Sequence, residues 1–268
     1  MYKAVFLDMD GTLLKSDHSV SELTKQTIRQ INKKGIPVVL VSARPLNAVL
    51  PTWHDIGLEA YPVVTLNGSY IVEDDKPIFD AMIDLSVTAD VAAEVKPYKA
   101  NIAYYIQREW FAEANDAWTE HEQKIMDVKI RIAPLPELIK EWADRKVGPN
   151  KMMVMSEPET IAIVQEKLKA KYNGRLNIYP SKPTYLEVMD PAGSKSNAVR
   201  FLIERMGIDR KDIIAMGDNY NDREMIQFAG MGVAMGNAPD EIKQAADYVT
   251  DTNNNDGVRK ALEHLIQL

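Results

Sequence analysis

The stretch "AVFLDMDGTLL", residues 4–14, runs four apolar residues into Asp8 and Asp10, which stand one residue apart. Two carboxylates that close repel each other, and burying either without a partner is costly. At the end of an apolar strand they suit cation binding, carboxylate attack on an electrophile, or acid–base work. A polar turn closing an ordinary strand would use the same residue types, so the rest of the chain has to discriminate. The apolar run "IIAM" leads in the same way into "GDNYND", residues 217–222, which supplies Asp218, Asn221 and Asp222. Ser42 in "VSARP" follows another apolar run, and Lys195 in "GSKSNAV" opens a helical pattern.

Several alternatives fail on spacing. A calcium loop starting at Asp8 needs a bidentate acid at its twelfth position, which is Ser19; one starting at Asp218 reaches Ala229. "GSKS" lacks the glycines of a phosphate-binding P-loop, with Ser194 and Met189 where two of them belong. "GMGVAMG" lacks dinucleotide-fingerprint spacing. His18, His54, His121 and His264 share no ligand spacing and read as incidental, exposed side chains.

The elements that must position these residues alternate. "KAVFLD", "IPVVLVSA" and "PVVTLNG" are continuous apolar runs, as expected of parallel strands covered on both faces. Between the first two, "VSELTKQTIRQINKKG" has helical periodicity, with Leu23, Thr27 and Ile31 on one face, Ser21 as cap and Gly35 as stop. "SYIVEDDKPIFD" suits a hairpin. From about residue 83 to 188 the pattern changes to mixed strands ("NIAYYIQ", "WFAEA", "KMMVMS", "LNIYP", "TYLEVM") and amphipathic helices ("DAWTEHEQKIM", "ETIAIVQEKLKAKY"). The expectation is an α/β protein: a Rossmann-like parallel-sheet core in two pieces, 1–82 and 189–268, with an inserted α+β cap at 83–188. The cap aromatics Tyr104, Tyr105, Trp110 and Trp118 read as packing rather than recognition. Ligands of open parallel sheets bind beyond the carboxyl ends of the strands, where both aspartate pairs fall.

Composition narrows the partners. The chain has 268 residues and a formal net charge of -7, which argues against a nucleic-acid partner. Anionic small molecules remain compatible, because a local lysine or metal overrides the global field. There is no cysteine, hence no thiol chemistry or disulfide. Without a signal-peptide pattern or an apolar run of membrane-spanning length, a soluble cytoplasmic protein is expected.

"DMDGTLL", "VSARP", "GSKSNAV" and "GDNYND", in that order and with a cap-sized gap between the second and third, together resemble the haloacid dehalogenase superfamily, specifically the Cof-type phosphatases with a class IIB cap. "MGNAPDEIKQAADYVT" and the "DGV" near the C-terminus are also similar to that family. Two of the motifs depart from its common pattern: Ser42-Ala43-Arg44 stands where Thr-Gly-Arg is usual, and Ser196 where glycine is common. The resemblance implies that Asp8 is a nucleophile forming an aspartyl-phosphate and that Asp10 is the acid and base. It implies Mg²⁺ held by the Asp8 and Asp218 carboxylates and the Asp10 carbonyl, with Asp222 orienting them from behind. Phosphate would be bound by Met9, Ser42, Ala43, Lys195 and Asn221. The implied substrate is a small phosphorylated metabolite, with sugar phosphates first and pyridoxal phosphate also plausible. A phosphomutase and a non-enzymatic phosphate-sensing module remain alternatives; carbon–halogen hydrolysis fits poorly with the acidic "GDNYND" cluster. The role of Arg44 and the physiological substrate stay open. Selectivity is expected in the inserted segment, because the reacting groups touch only the phosphate, the attacking or leaving oxygen and the metal.

Overall fold

The computed structural model describes residues 2–126 and 129–267. β1 (Ala4–Leu7) is buried at all four positions, as its unbroken apolar sequence requires. α1 (Glu22–Lys33) starts at Ser21, whose hydroxyl accepts the Thr24 N–H, and Gly35 follows its end with φ +79°. Its buried stripe is Thr24, Thr27, Ile28 and Ile31; Leu23 is 55% exposed, so the expected face is corrected at that residue. At 100° per residue Leu23 lies about 90° around from the centre of that stripe. β2 (Val38–Leu40) and α2 (Leu46–Ile56) follow.

β3 (Val63–Thr65), β4 (Tyr70–Glu73) and β5 (Lys76–Asp80) form a small sheet of their own. Asp74 and Asp75 turn the β4–β5 hairpin with φ of 50° and 60°, the left-handed pair that a two-residue hairpin favours. β3 was expected in the parallel sheet. It contributes one parallel bridge, Val64 to Val41, and its pairing in the ladder goes antiparallel to β4.

The next elements are α3 (Leu85–Val95), β6 (Asn101–Ile106), β7 (Glu109–Ala112), α4 (Ala117–Met126), β8 (Arg131–Ile132), α5 (Leu135–Arg145), β9 (Lys151–Met155), α6 (Pro158–Tyr172), β10 (Asn177–Lys182) and β11 (Tyr185–Met189). Their strands make one sheet in the order β10-β11-β9-β6-β7-β8. Alternate residues Ile102, Tyr104, Ile106, Met152, Val154, Leu186 and Val188 join Trp142, Leu168 and Tyr172 in one apolar core. The intervening positions carry Tyr105, Lys151, Tyr185 and Glu187 on the other face, all buried. Trp110 stacks on Tyr105 with centroids 5.3 Å apart.

The chain then returns to β/α alternation: α7 (Lys195–Met206), β12 (Ile213–Gly217), α8 (Arg223–Phe228), β13 (Met231–Ala234), α9 (Asp240–Gln244), β14 (Tyr248–Val249) and α10 (Gly257–Ile266). The main sheet runs β14-β13-β12-β1-β2, every pair parallel. The strand nearest the N-terminus is therefore flanked by β12, from beyond the insertion, and by β2. The chain divides into two compact units, Met1–Ala43 with Val49–Ile78 and Ser194–Leu268, and Arg44–Ala48 with Phe79–Gly193. Among the described residues no helix is long and apolar enough to cross a membrane.

Candidate active site

β1 and β12 pair with Leu7 opposite Met216, and the Asp8 N–H continues the ladder by donating to the Met216 carbonyl at 3.0 Å. That register delivers Asp8 and Asp218 to the same sheet edge. Lys195, the first residue of α7, brings its ammonium between Asp8 Oδ1 and Asp222 Oδ1, at 2.5 and 2.6 Å. All three side chains are buried, Asp222 completely. A cation at a helix N-terminus opposes the helix dipole, so the two carboxylates must offset both that and its burial. Asp222 Oδ2 accepts the N–H groups of Asp218 and Asn219, each at 3.0 Å. Both of its oxygens are thus engaged in holding Lys195 and the "GDNYND" loop.

Carboxylate oxygens of Asp8, Asp218 and Asp222 lie within 4.8 Å of one another. Burial pushes the Asp8 carboxyl well above the ordinary range; Asp222 adds to the rise and Lys195 opposes it. Asp218 is pushed up to about 6, again by burial first and by Asp222 second. Burial pulls the Lys195 ammonium down, but Asp222 and Asp8 outweigh it, and the lysine ends above its usual value. One buried lysine among three carboxylates leaves the cluster net acidic. A purely oxygen donor set of this kind fits a hard divalent cation such as Mg²⁺. Asp10, one residue into the turn after Asp8, is exposed and contributes no carboxylate to that cluster.

Gly11 has φ +78°, and a Cβ there would sit 2.3 Å from Asp218 Oδ2. The chain passes Asp218 so closely that only glycine fits. Gly11→Ala is expected to cost roughly 1–3 kcal/mol of stability and to displace Asp218. Urea unfolding and calorimetric titration with Mg²⁺ check both parts, and wild-type values in both would contradict this reading of the turn.

Three residues without an expected role hold this turn. Thr12 Oγ1 donates to Asp218 Oδ1 at 3.2 Å. Asn237 Nδ2 donates to the Gly11 carbonyl at 2.9 Å and to Asp218 Oδ2 at 3.3 Å. Asn237 Oδ1 accepts the Asn253 N–H, and Asn253 Nδ2 reaches the Leu14 carbonyl at 2.8 Å. Asn237 stands in the loop after β13, as Asp218 stands after β12, and that strand-end position was the signal available in the sequence.

Ser42 lies just past β2 and is fully buried. Its N–H donates to the Val64 carbonyl, and its own carbonyl accepts the Asn67 N–H at 2.9 Å. Ala43 follows as the last residue of its segment of the first unit, whereas Arg44 groups with the second. The Met9 side chain is fully buried, so only its main chain is available to a ligand. Asn221 lies in a short 3₁₀ turn, Tyr220–Asp222, and donates from Nδ2 to Asn67 Oδ1 at 3.0 Å. The structure therefore brings Asp8, Asp218, Asp222 and Lys195 together and ties Ser42 to Asn221 through Asn67. The four histidines are all exposed; His54 pairs with Glu59 and His264 stacks on Tyr248.

A family model described as haloacid dehalogenase-like hydrolase matches residues 5–262. A Haemophilus influenzae protein is 37% identical over 266 residues, covering 98% of both chains. The Bacillus subtilis 5-amino-6-(5-phospho-D-ribitylamino)uracil phosphatase YcsE is 31% identical over 265 residues, covering 98% of this chain and 96% of that one. A haloacid dehalogenase-like hydrolase from Bacteroides thetaiotaomicron superposes with a TM-score of 0.89 at 30% identity, covering 99% and 100% of the two chains. The fold is also that of a subclass IIB sugar phosphatase, with a TM-score of 0.86 at 22% identity over 99% of this chain and 100% of that one. With the acidic cluster of Asp8, Asp218 and Asp222 at the carboxyl edge of its central strands, the chain belongs to the haloacid dehalogenase-like hydrolases, as a Cof-type phosphatase.

Proposed function

We propose that this phosphatase is Mg²⁺-dependent, acts on phosphorylated sugars and related polyols, and works through an aspartyl-phosphate on Asp8. The observation that carries the reading is the buried Asp8–Lys195–Asp222 arrangement with Asp218 beside it at the sheet edge. A carboxylate held at a fixed place by a buried cation is a pre-oriented nucleophile.

In the first step an Asp8 oxygen bonds to phosphorus as the ester P–O bond breaks. The electron pair leaves on the alcohol oxygen, which takes the proton of the Asp10 carboxyl. In the second step the Asp10 carboxylate removes a proton from water, the water oxygen bonds to phosphorus, and the bond to Asp8 breaks, releasing inorganic phosphate. The exposure of Asp10 suits a group that must exchange protons with solvent and leaving group in turn. Lys195 supplies positive charge to the phosphoryl oxygens, and Ser42, Asn221 and the main chain at Met9 and Ala43 supply neutral hydrogen bonds. Asp8, Asp218 and the Asp10 carbonyl would hold Mg²⁺, which when bound offsets the repulsion between a carboxylate and a phosphate dianion.

The leaving-group class rests on a relative, 31% identical to this chain, whose name gives a phosphorylated ribityl compound as its substrate. The groups named above touch only the phosphate, the attacking or leaving oxygen and the metal, which leaves residues 83–188 to meet the rest of the substrate. We assign substrate selection to this inserted segment. Phosphate release from a panel of phosphorylated sugars, polyols, nucleotides and pyridoxal phosphate, with and without Mg²⁺, tests the reading. Turnover of sugar or polyol phosphates only with Mg²⁺ is expected; metal-independent turnover, or turnover of nucleotides alone, would contradict it.

The raised carboxyls give this reading a pH signature. Between the unfolded value of about 3.9 and the folded value of about 6, the folded protein binds more protons at Asp218 than the unfolded chain. Its contribution to stability is therefore unfavourable and grows as pH rises through that window. Mg²⁺ must displace those protons, so its affinity falls as pH drops through about 6. The expected result is a larger Mg²⁺-induced rise in Tm at pH ~7.5 than at pH ~5. Equal rises, measured by scanning calorimetry, would contradict the assignment of Asp218 to the cation.

A further inference from the structure

Leu66, Asn67 and Gly68, directly after β3, are three successive left-handed residues, with φ of 50°, 56° and 94°. For leucine this conformation is strained, and it persists only where the surroundings over-determine it. Here they do. The Asn67 N–H donates to the Ser42 carbonyl at 2.9 Å. Gly68 lies so close to the start of α7 that a Cβ would come within 2.2 Å of the Ser194 carbonyl oxygen, one residue before Lys195. The Asn67 side chain is 2% exposed, and its Oδ1 accepts from Asn221 Nδ2 at 3.0 Å. One buried residue thus grips Ser42 through its main chain and Asn221 through its side chain, while its neighbour is locked against the helix that presents Lys195.

We infer that Asn67 is a positioning residue for the phosphoryl site, setting the separation of Ser42 and Asn221 and the direction of the Asn221 amide. The inference rests on the phosphate-binding role proposed above for those two residues. Its physical content is pre-organisation. Neutral donors stabilise the transferring group only when they are aimed before the reaction, and small misplacements are costly. Asn221 sits in a three-residue 3₁₀ turn. Asn67 Oδ1 gives its amide a fixed acceptor from a distant part of the chain.

A double-mutant cycle tests it. Asn67→Gly keeps the left-handed backbone and the N–H to Ser42 but removes the side chain; Asn221→Ala removes the other partner. The readouts are kcat/KM for p-nitrophenyl phosphate with Mg²⁺, and Tm. Asn67→Gly is expected to lower kcat/KM about 10-fold in the wild-type background and no more than roughly 2-fold in the Asn221→Ala background. Its Tm should stay within a few degrees of wild type, as expected where glycine fits the backbone. Losses that multiply across the two sites, or a wild-type kcat/KM for Asn67→Gly, would overturn the assignment. A merely structural role would show as multiplying losses with a depressed Tm. Failure of the phosphatase reading is separate, because it would appear as no phosphate release by the wild-type protein.

Discussion

Asp8→Asn is expected to lower kcat by roughly 10⁴-fold or more while the protein stays folded. The amide is isosteric with the carboxylate but cannot form an acyl phosphate. Lys195 keeps Asp222 as a partner in the variant, so no buried charge is stranded. Asp8 is also the group whose charged form burial disfavours, and neutralising it removes that penalty. The expected Tm in the absence of metal is therefore equal to or above that of the wild type. Phosphate release by purified Asp8→Asn at a near-wild-type rate would remove Asp8 from the nucleophile's role.

Lys195→Met has the opposite signature, because it damages stability and turnover together. The lysine side chain is 1% exposed and bridges two carboxylates that are 6% and 0% exposed. Removing one member of such a buried set leaves charge uncompensated and typically costs about 3–5 kcal/mol. The loss should be greatest near neutral pH and shrink in acid, where Asp8, whose carboxyl burial already pushes up, takes up a proton and needs no partner. Turnover should fall by about 10³-fold or more, since positive charge is lost where negative charge spreads. Metal-free urea unfolding at two pH values is the check. A loss below about 1 kcal/mol at pH ~7.5 would show that the pair is not held as described.

What was legible in the sequence follows from how each residue reaches the site. Asp8, Asp218 and Ser42 end or closely follow buried apolar strands, and Lys195 opens a helix; a strand-end position and a residue type sufficed to single them out. Asn67, Asn237 and Asn253 stand in comparable loops. Their roles depend on amide contacts across long sequence separations, Asn67 to Asn221 and Asn253 to Leu14, which no local pattern encodes. The parallel sheet was legible because both of its faces are covered and its strands are unbroken apolar runs. The termination of β3 after three residues was not, since its departure is set by the left-handed turn that follows. Helix α5 carries Leu135, Leu138 and Trp142 at helical spacing and could have been read; it was hidden among the strands of the mixed segment. Leu23 shows the limit of periodicity in a short helix, where one more apolar residue at the stripe's edge was assigned to the core and is instead exposed.

The covalent role of Asp8 is tested most directly by trapping it. Asp10→Asn should still accept phosphate from p-nitrophenyl phosphate, whose leaving group needs no proton, but should be unable to activate water for the second step. With Mg²⁺ and excess substrate, the account predicts a burst of p-nitrophenolate equal to the enzyme present, followed by near-arrest. Borohydride reduction of the trapped protein should then convert residue 8, and no other aspartate, to homoserine in the peptide mass spectrum. Steady release without a burst, or phosphate attached at any residue other than Asp8, would contradict the account.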